Sequence, residues 1–297
     1  MKLTTSSLFG KILGLDPALR QPNLNEVFSL RHRDAQSVIL LSKNGLLLTI
    51  AEQAWGRGPN RILVERIPAE PFSLPLDGWT LASDSITIPG EAEPISLDGF
   101  RLQPSENLAA VQDFPGHMRN ALNRLRRQFL PDLESRLADL TSALQTPLTE
   151  SVEIPLLSVL GRGDGLHPAG DAALCGMMLT GRAMTFGKRL RSDWLPRLLT
   201  EIRRFFHRTT KVSAAFIRFA AEGRTNDRQE QLFAAMARDY EGVVETALIN
   251  LANSPEGPAW AFLSGVRAAL EMVFTGLDLN RNLMVSGPFP IIRPEKK

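Results

Sequence analysis

The chain has 297 residues, 43% hydrophobic and 22% charged, which is enough apolar content for one large domain or two packed ones and too much for a disordered chain. Its 34 basic and 32 acidic residues leave a formal net charge of +2, so no overall attraction to nucleic acid or membrane arises and neither is an expected partner. The single cysteine, Cys175, excludes an internal disulfide; with no signal-peptide pattern in the opening MKLTTSSLFGKILGLDPALRQ and no window of about 18 apolar residues, a soluble cytoplasmic protein is expected.

From about Glu26 to Gln103, short apolar runs alternate with turn formers. VFSLRH, SVILLS, LLLTIA, RILVERIP, WTLAS, SITIP and ISLDGFRLQ read as strands. Asn44-Gly45 predicts a type I′ hairpin joining strands 36–42 and 46–51. Pro59, Pro68, Pro71, Pro75, Pro89 and Pro94 cannot donate to a ladder, so the strands are short and several lie at edges. The expected N-terminal unit, residues 1–104, is a small antiparallel β-barrel or sandwich.

After Pro104 the spacing becomes helical. Leu122, Leu125, Phe129, Leu133, Leu137, Leu140 and Leu144 mark one face of a long helix, with Pro131 as a candidate interruption. Segments 171–186, 192–207, 211–222, 227–238, 240–252 and 257–274 predict further helices, and the apolar IPLLSVL that precedes the glycines reads as a buried strand. No repeat or low-complexity tract is present, so the class is α+β, with a mostly helical second unit over residues 105–297.

Known motifs fail on spacing. LGRGDGLHPAGDAALCG lacks the lysine and hydroxyl of a phosphate-binding P-loop, and its third glycine falls one place too early for a dinucleotide fingerprint. His32, His117, His167 and His207 lie far apart, Cys175 has no CxxC partner and no GxSxG occurs, so neither a metal site nor a cofactor is expected. What remains is the loop itself. Gly161, Gly163, Gly165 and Gly170 bring bare backbone to a helix start opened by Pro168, an arrangement suited to an anion or only to a tight turn. His167 and Asp171 are the candidate chemical groups; for Asp171 the competing role is a helix cap. Thr209, Thr210 and Ser213, in HRTTKVSAAFIRFAAEGR, form a second polar cluster that either caps the next helix or faces the glycine loop. The basic runs at Arg124, Arg126 and Arg127, at Lys188, Arg189 and Arg191, and at Arg203 and Arg204 read as solvated faces.

LGRGDGLHPAGDAALCG resembles the GLGPGLTPSGDDFLAG signature of the AllH family, and TTKVSAAFIRFAAEG resembles the TT…S…L…A…G segment that follows it there. The LLSKNGLLLTIA hairpin and GRGPNRILV are similar to that family's N-terminal half. The resemblance implies a subunit of an oxamate carbamoyltransferase complex, which moves a carbamoyl group between oxalurate and phosphate to give oxamate and carbamoyl phosphate. The expected partners are therefore a small anionic metabolite and the other subunits. Departures accompany it. The family's loop threonine, serine and second aspartate correspond to His167, Ala169 and Ala172, and Asp164 stands in place of a proline. In SPEGPAWAFLSG, Ala261 falls at an aspartate and Ala259 at a glycine of the family's GHSSGxDxLAG. A diverged member with altered or lost catalysis is expected; the alternatives are a non-catalytic anion-binding or scaffold protein of the same fold, and a stand-alone enzyme acting on another metabolite.

Overall fold

A computed structural model describes residues 9, 12–19, 25–68, 75–82, 85–89, 94–96, 131–146, 151–186, 193–238, 241–254 and 258–284. Strands β1 (Ile12–Leu15), β2 (Asn25–Arg33), β3 (Ser37–Ser42), β4 (Leu47–Glu52), β5 (Arg61–Val64), β6 (Asp77–Ala82), β7 (Ser85–Thr87) and β8 (Ile95–Ser96) form one sheet in the order β1-β5-β4-β3-β2-β6-β7-β8. Every pairing is antiparallel except β4 with β5, which run parallel with Ile50 beside Ile62. The helices follow: α1 (Pro131–Gln145), α2 (Glu153–Val159), α3 (Ala169–Phe186), α4 (Trp194–Arg204), α5 (Lys211–Glu222), α6 (Asp227–Arg238), α7 (Glu241–Ala252) and α8 (Ala259–Met284). The protein is therefore α+β, as expected from the change of periodicity. The boundary at residue 104, the strand residues 97–103, the helical residues Leu122, Leu125 and Phe129, and the basic runs 124–127 and 188–191 lie outside the described residues.

The period-two side-chain alternation of a strand explains how the sheet is used twice. Val38 and Leu40 of β3, with Leu48 and Ile50 of β4, face a core that holds Phe28, Ile62, Trp79 and Leu81. The alternate residues Ile39, Leu41 and Leu47 face the other way and pack on Val212, Ala215 and Phe219 of α5. SVILLS is thus buried at all six positions, the pattern of a strand covered on both faces. Helix α5 is in turn covered on both sides, since Ile217 and Ala220 join the large helical core.

Two local expectations are corrected. Only Gly45 has positive φ in the β3–β4 turn (81°), while Asn44 does not, which rules out a type I′ turn. Gly45 N–H donates to the Ser42 carbonyl at 3.1 Å and Ser42 N–H to the Leu46 carbonyl at 2.9 Å, so the loop has three residues, with the glycine in the left-handed position that such loops need. The second correction concerns IPLLSVL, which is helical, not a buried strand. In α2 only Leu156 and Val159 are buried, three residues apart, and Ile154 is 83% exposed. Pro155 sits in the first turn, where a missing N–H costs nothing.

Polar contacts of long sequence separation join the sheet to the helices. Arg224, just beyond α5, donates to Asp16 Oδ2 at 2.6 Å and to Asn60 Oδ1 at 2.9 Å, and Asn60 N–H donates to the same Asp16 oxygen at 2.5 Å. Asn60 has φ of 50°, a conformation that asparagine tolerates better than most residues. Asp227, which opens α6, accepts from Arg57 N and Nε, both at 2.7 Å. Burial pulls the neighbouring Arg61 guanidinium down to about 9, with the Asp227 carboxylate opposing that shift.

Candidate functional site

The loop from Leu160 to Pro168 leaves α2 and enters α3, and its two ends are tied down by backbone and carboxylate. Arg162 N–H donates to the Val159 carbonyl at 3.1 Å, and Gly170 N–H donates to the Arg162 carbonyl at 2.8 Å. Asp171, fully buried in the first turn of α3, accepts from Gly161 N–H at 2.7 Å through Oδ1 and from the Thr209 hydroxyl through Oδ2. Its role is thus neither a simple cap of its own helix nor a carboxylate presented to solvent: it staples the loop to the segment before α5. A buried carboxylate needs donors on its oxygens, and this one has them.

Thr210 caps α5, accepting from Ser213 N–H at 2.9 Å, while its own hydroxyl donates to the Leu166 carbonyl at 2.5 Å. Ser213 Oγ lies 2.9 Å from His167 Nδ1, and the His167 ring sits 4.9 Å from that of Phe216. The two polar clusters of the sequence therefore meet, and the capping role of Thr210 and its contact with the loop are both realised. Burial pushes the His167 imidazole down to about 4, and the nearby Asp171 carboxylate only partly offsets this. At neutral pH the ring is uncharged, with one donor and one acceptor nitrogen. Cys175, a turn further along α3, is inert for the same reason, its thiol pushed up by burial.

The glycines divide by what surrounds them. A Cβ on Gly161 would run into the Arg208 carbonyl, and one on Gly170 into the Val159 carbonyl. Gly163, at φ 110°, has Ala169 N at 2.8 Å from such an atom, whereas Gly165, at φ 83°, has nothing within 4 Å. The middle of the loop, Arg162 to Gly165, is exposed.

Beside His167 lies a small cleft of about 40 Å³. The loop and α3 contribute His167 and Ala172; the start of α6 contributes Asn226 and Gln229; the end of α7, the segment after it and the start of α8 contribute Leu251, Ser254, Pro258, Ala259 and Phe262. Among the described residues, no carboxylate, lysine or arginine lines it. Asn226 and Gln229 hold each other's backbone: Gln229 N–H donates to Asn226 Oδ1 at 2.8 Å and Asn226 N–H to Gln229 Oε1 at 3.1 Å, a reciprocal cap that spends both carbonyl oxygens on α6. The N-x-x-Q spacing before α6 is the sequence signal that would have found this wall of the cleft.

Helices α3 and α8 meet backbone to backbone. A Cβ on Gly176 would strike the Phe262 carbonyl, and one on Gly265 the Ala173 carbonyl. Ala261, read in the sequence as the site of a missing aspartate, is fully buried and is not among the described residues lining the cleft, whereas Ala172 and Ala259 are. Among the described residues, no group of three or more His, Cys, Asp or Glu is placed to hold a metal ion, and no helix is long and apolar enough to cross a membrane.

No curated protein and no solved structure matches the chain. The family model described as oxamate carbamoyltransferase subunit AllH matches residues 159–270, from the last residue of α2 into α8, a stretch that leaves the sheet outside it and contains every described residue lining the His167 cleft; over that stretch the chain is similar to the AllH family, which supports membership of it.

Proposed function

We propose that this chain is a subunit of an oxamate carbamoyltransferase-like complex, with its own catalysis altered or lost, and that the His167 cleft is where it meets a small ligand. The observation that carries the proposal is the assembly of the cleft from three separate segments of the family match. In this reading Asp171, Thr209, Thr210, Gly161 and Gly170 position the loop, while Gly163 and Gly165 present backbone N–H groups and His167 with Ser213 faces the ligand. The reaction proposed for the complex is transfer of a carbamoyl group between oxalurate and phosphate. A neutral His167 supplies hydrogen bonds but no positive charge, so attraction for an anion rests on backbone N–H groups and the start of α3. The chain alone is expected to show no turnover, because no ionised acid or base is among the described residues that line the cleft. The test is a coupled assay for carbamoyl phosphate with the purified chain, with and without co-expressed candidate partner subunits. Turnover only in the assembled complex, reduced by His167→Gln, supports the proposal; robust turnover by the chain alone sinks it.

A second reading, a non-catalytic scaffold of the same fold, is favoured by one observation. The loop carboxylate and the hydroxyls of Thr209 and Thr210 are all engaged inside the protein. If neither oxalurate nor phosphate binds at millimolar concentration, with or without partners, this reading replaces the first.

A further inference from the structure

A larger cleft, of about 120 Å³, opens between α3, α4 and α5 and shares no lining residue with the His167 cleft. Arg182, Arg203 and Arg218 line it around a floor that includes Leu199, Ile202 and Ile217. Among the described residues the one acid in the lining is Glu222, whose carboxylate lies 3.8 Å from Arg224 Nη1. Arg182 is fixed through its Nε, which donates to the Ala221 carbonyl at 2.8 Å. The Arg218 guanidinium stacks over the Phe206 ring with its Cζ 5.0 Å from the centroid. Neither Arg203 nor Arg218 has a carboxylate partner among the described residues, although Arg204, next in sequence, pairs with Glu201 at 2.6 Å. Three arginines bordering one concave surface place positive charge around it, which favours a bound anion. Guanidinium is also the side chain whose planar fork fits a carboxylate or phosphate with two parallel hydrogen bonds.

We infer that this cleft is a binding site for a small organic anion, with a phosphate or carboxylate head held by Arg182, Arg203 and Arg218 and a short apolar body resting on Leu199, Ile202 and Ile217. The inference does not depend on the function proposed for the His167 cleft. Both Arg203 and Arg218 reach the surface, so they can be changed without emptying the core.

The experiment is isothermal titration of the full chain at low ionic strength with butyl phosphate, butyrate and inorganic phosphate. Saturable binding of butyl phosphate or butyrate is expected, with butyl phosphate tighter than inorganic phosphate and weakening as salt is added. Changing Arg203→Gln and Arg218→Gln together is expected to weaken binding by about a hundredfold, roughly tenfold for each charged hydrogen-bonding group lost. The pair Arg203→Lys and Arg218→Lys, which keeps the charge but loses the fork, falls between. Equal affinity of the parent and the double glutamine variant, or saturation by neither organic anion, overturns the inference.

Discussion

The glycine loop has two parts that look alike in sequence and differ in physics. At its ends, Gly161 and Gly170 are glycines because other backbone occupies the space a side chain would need. In its middle, Gly165 has open space around it and is a glycine only through its left-handed backbone. The polar residues divide in the same way: Asp171, Thr209 and Thr210 are spent on holding the ends, and His167 stands at the edge of a cleft. A motif rich in glycine and hydroxyls is thus mostly a fastening, and only its remainder is left open.

The strongest way to break this contrast is substitution at the ends. Gly161→Ala or Gly170→Ala is expected to cost about 3 kcal/mol or more, since a methyl group there displaces a carbonyl rather than a flexible side chain. Chemical denaturation measures it, and a variant as stable as the parent would mean that the ends are not backbone-packed. Asp171→Asn comes next. It leaves an amide N–H₂ facing one of two donors, and a loss of about 2–3 kcal/mol is expected because a buried charge-assisted bond becomes a buried mismatch. Thr209→Val removes one donor and is expected to cost about 1 kcal/mol, with the double variant costing less than the sum of the two.

Acid sharpens the contrast from the side of the cleft. The His167 pKa, about 4 when folded against an ordinary 6.5, is depressed, so the unfolded chain binds more protons between those values. Stability from this residue is complete above pH 6.5 and falls as pH drops toward about 4, and His167→Gln is expected to remove that slope from an unfolding titration. The smallest effect belongs to the open middle: Gly165→Ala is expected to cost only about 1 kcal/mol, the strain of a left-handed alanine. A loss as large as that at Gly170 would erase the distinction between the two parts.

Much of this was legible in residues that report on themselves. The limits of β3 and of α5 and α6 follow from a short apolar run bounded by turn formers, from the Thr210 cap and from three-four spacing, because those signals are local. The stretch before the loop was misread because a seven-residue apolar run carries too little periodicity to separate a strand from a short helix, and its Pro155 stands where a helix accepts one. The meeting of Thr209, Thr210 and Ser213 with the loop was readable from the family resemblance alone. The cleft walls at Asn226 and Gln229 and the gathering of Arg182, Arg203 and Arg218 were not, since each depends on how helices pack and leaves no mark on the spacing of any one of them. Ala261, read in the sequence as the place of a lost aspartate, is fully buried and is not among the described residues that line the cleft, a placement that spacing alone does not reveal.

The bond between Asp16 and Arg224 spans 208 residues, and that between Arg57 and Asp227 spans 170. During synthesis the sheet strands emerge long before either partner exists, so Asp16 and the backbone of Arg57 remain hydrated until α5 and the start of α6 leave the ribosome. The outer face of β3 waits as well, for Val212, Ala215 and Phe219. Closing loops of this length is slow and leaves an apolar sheet face exposed in the meantime. A nascent chain arrested before Lys211 should therefore be the form most readily bound by chaperones, and the one most prone to aggregate when they are absent.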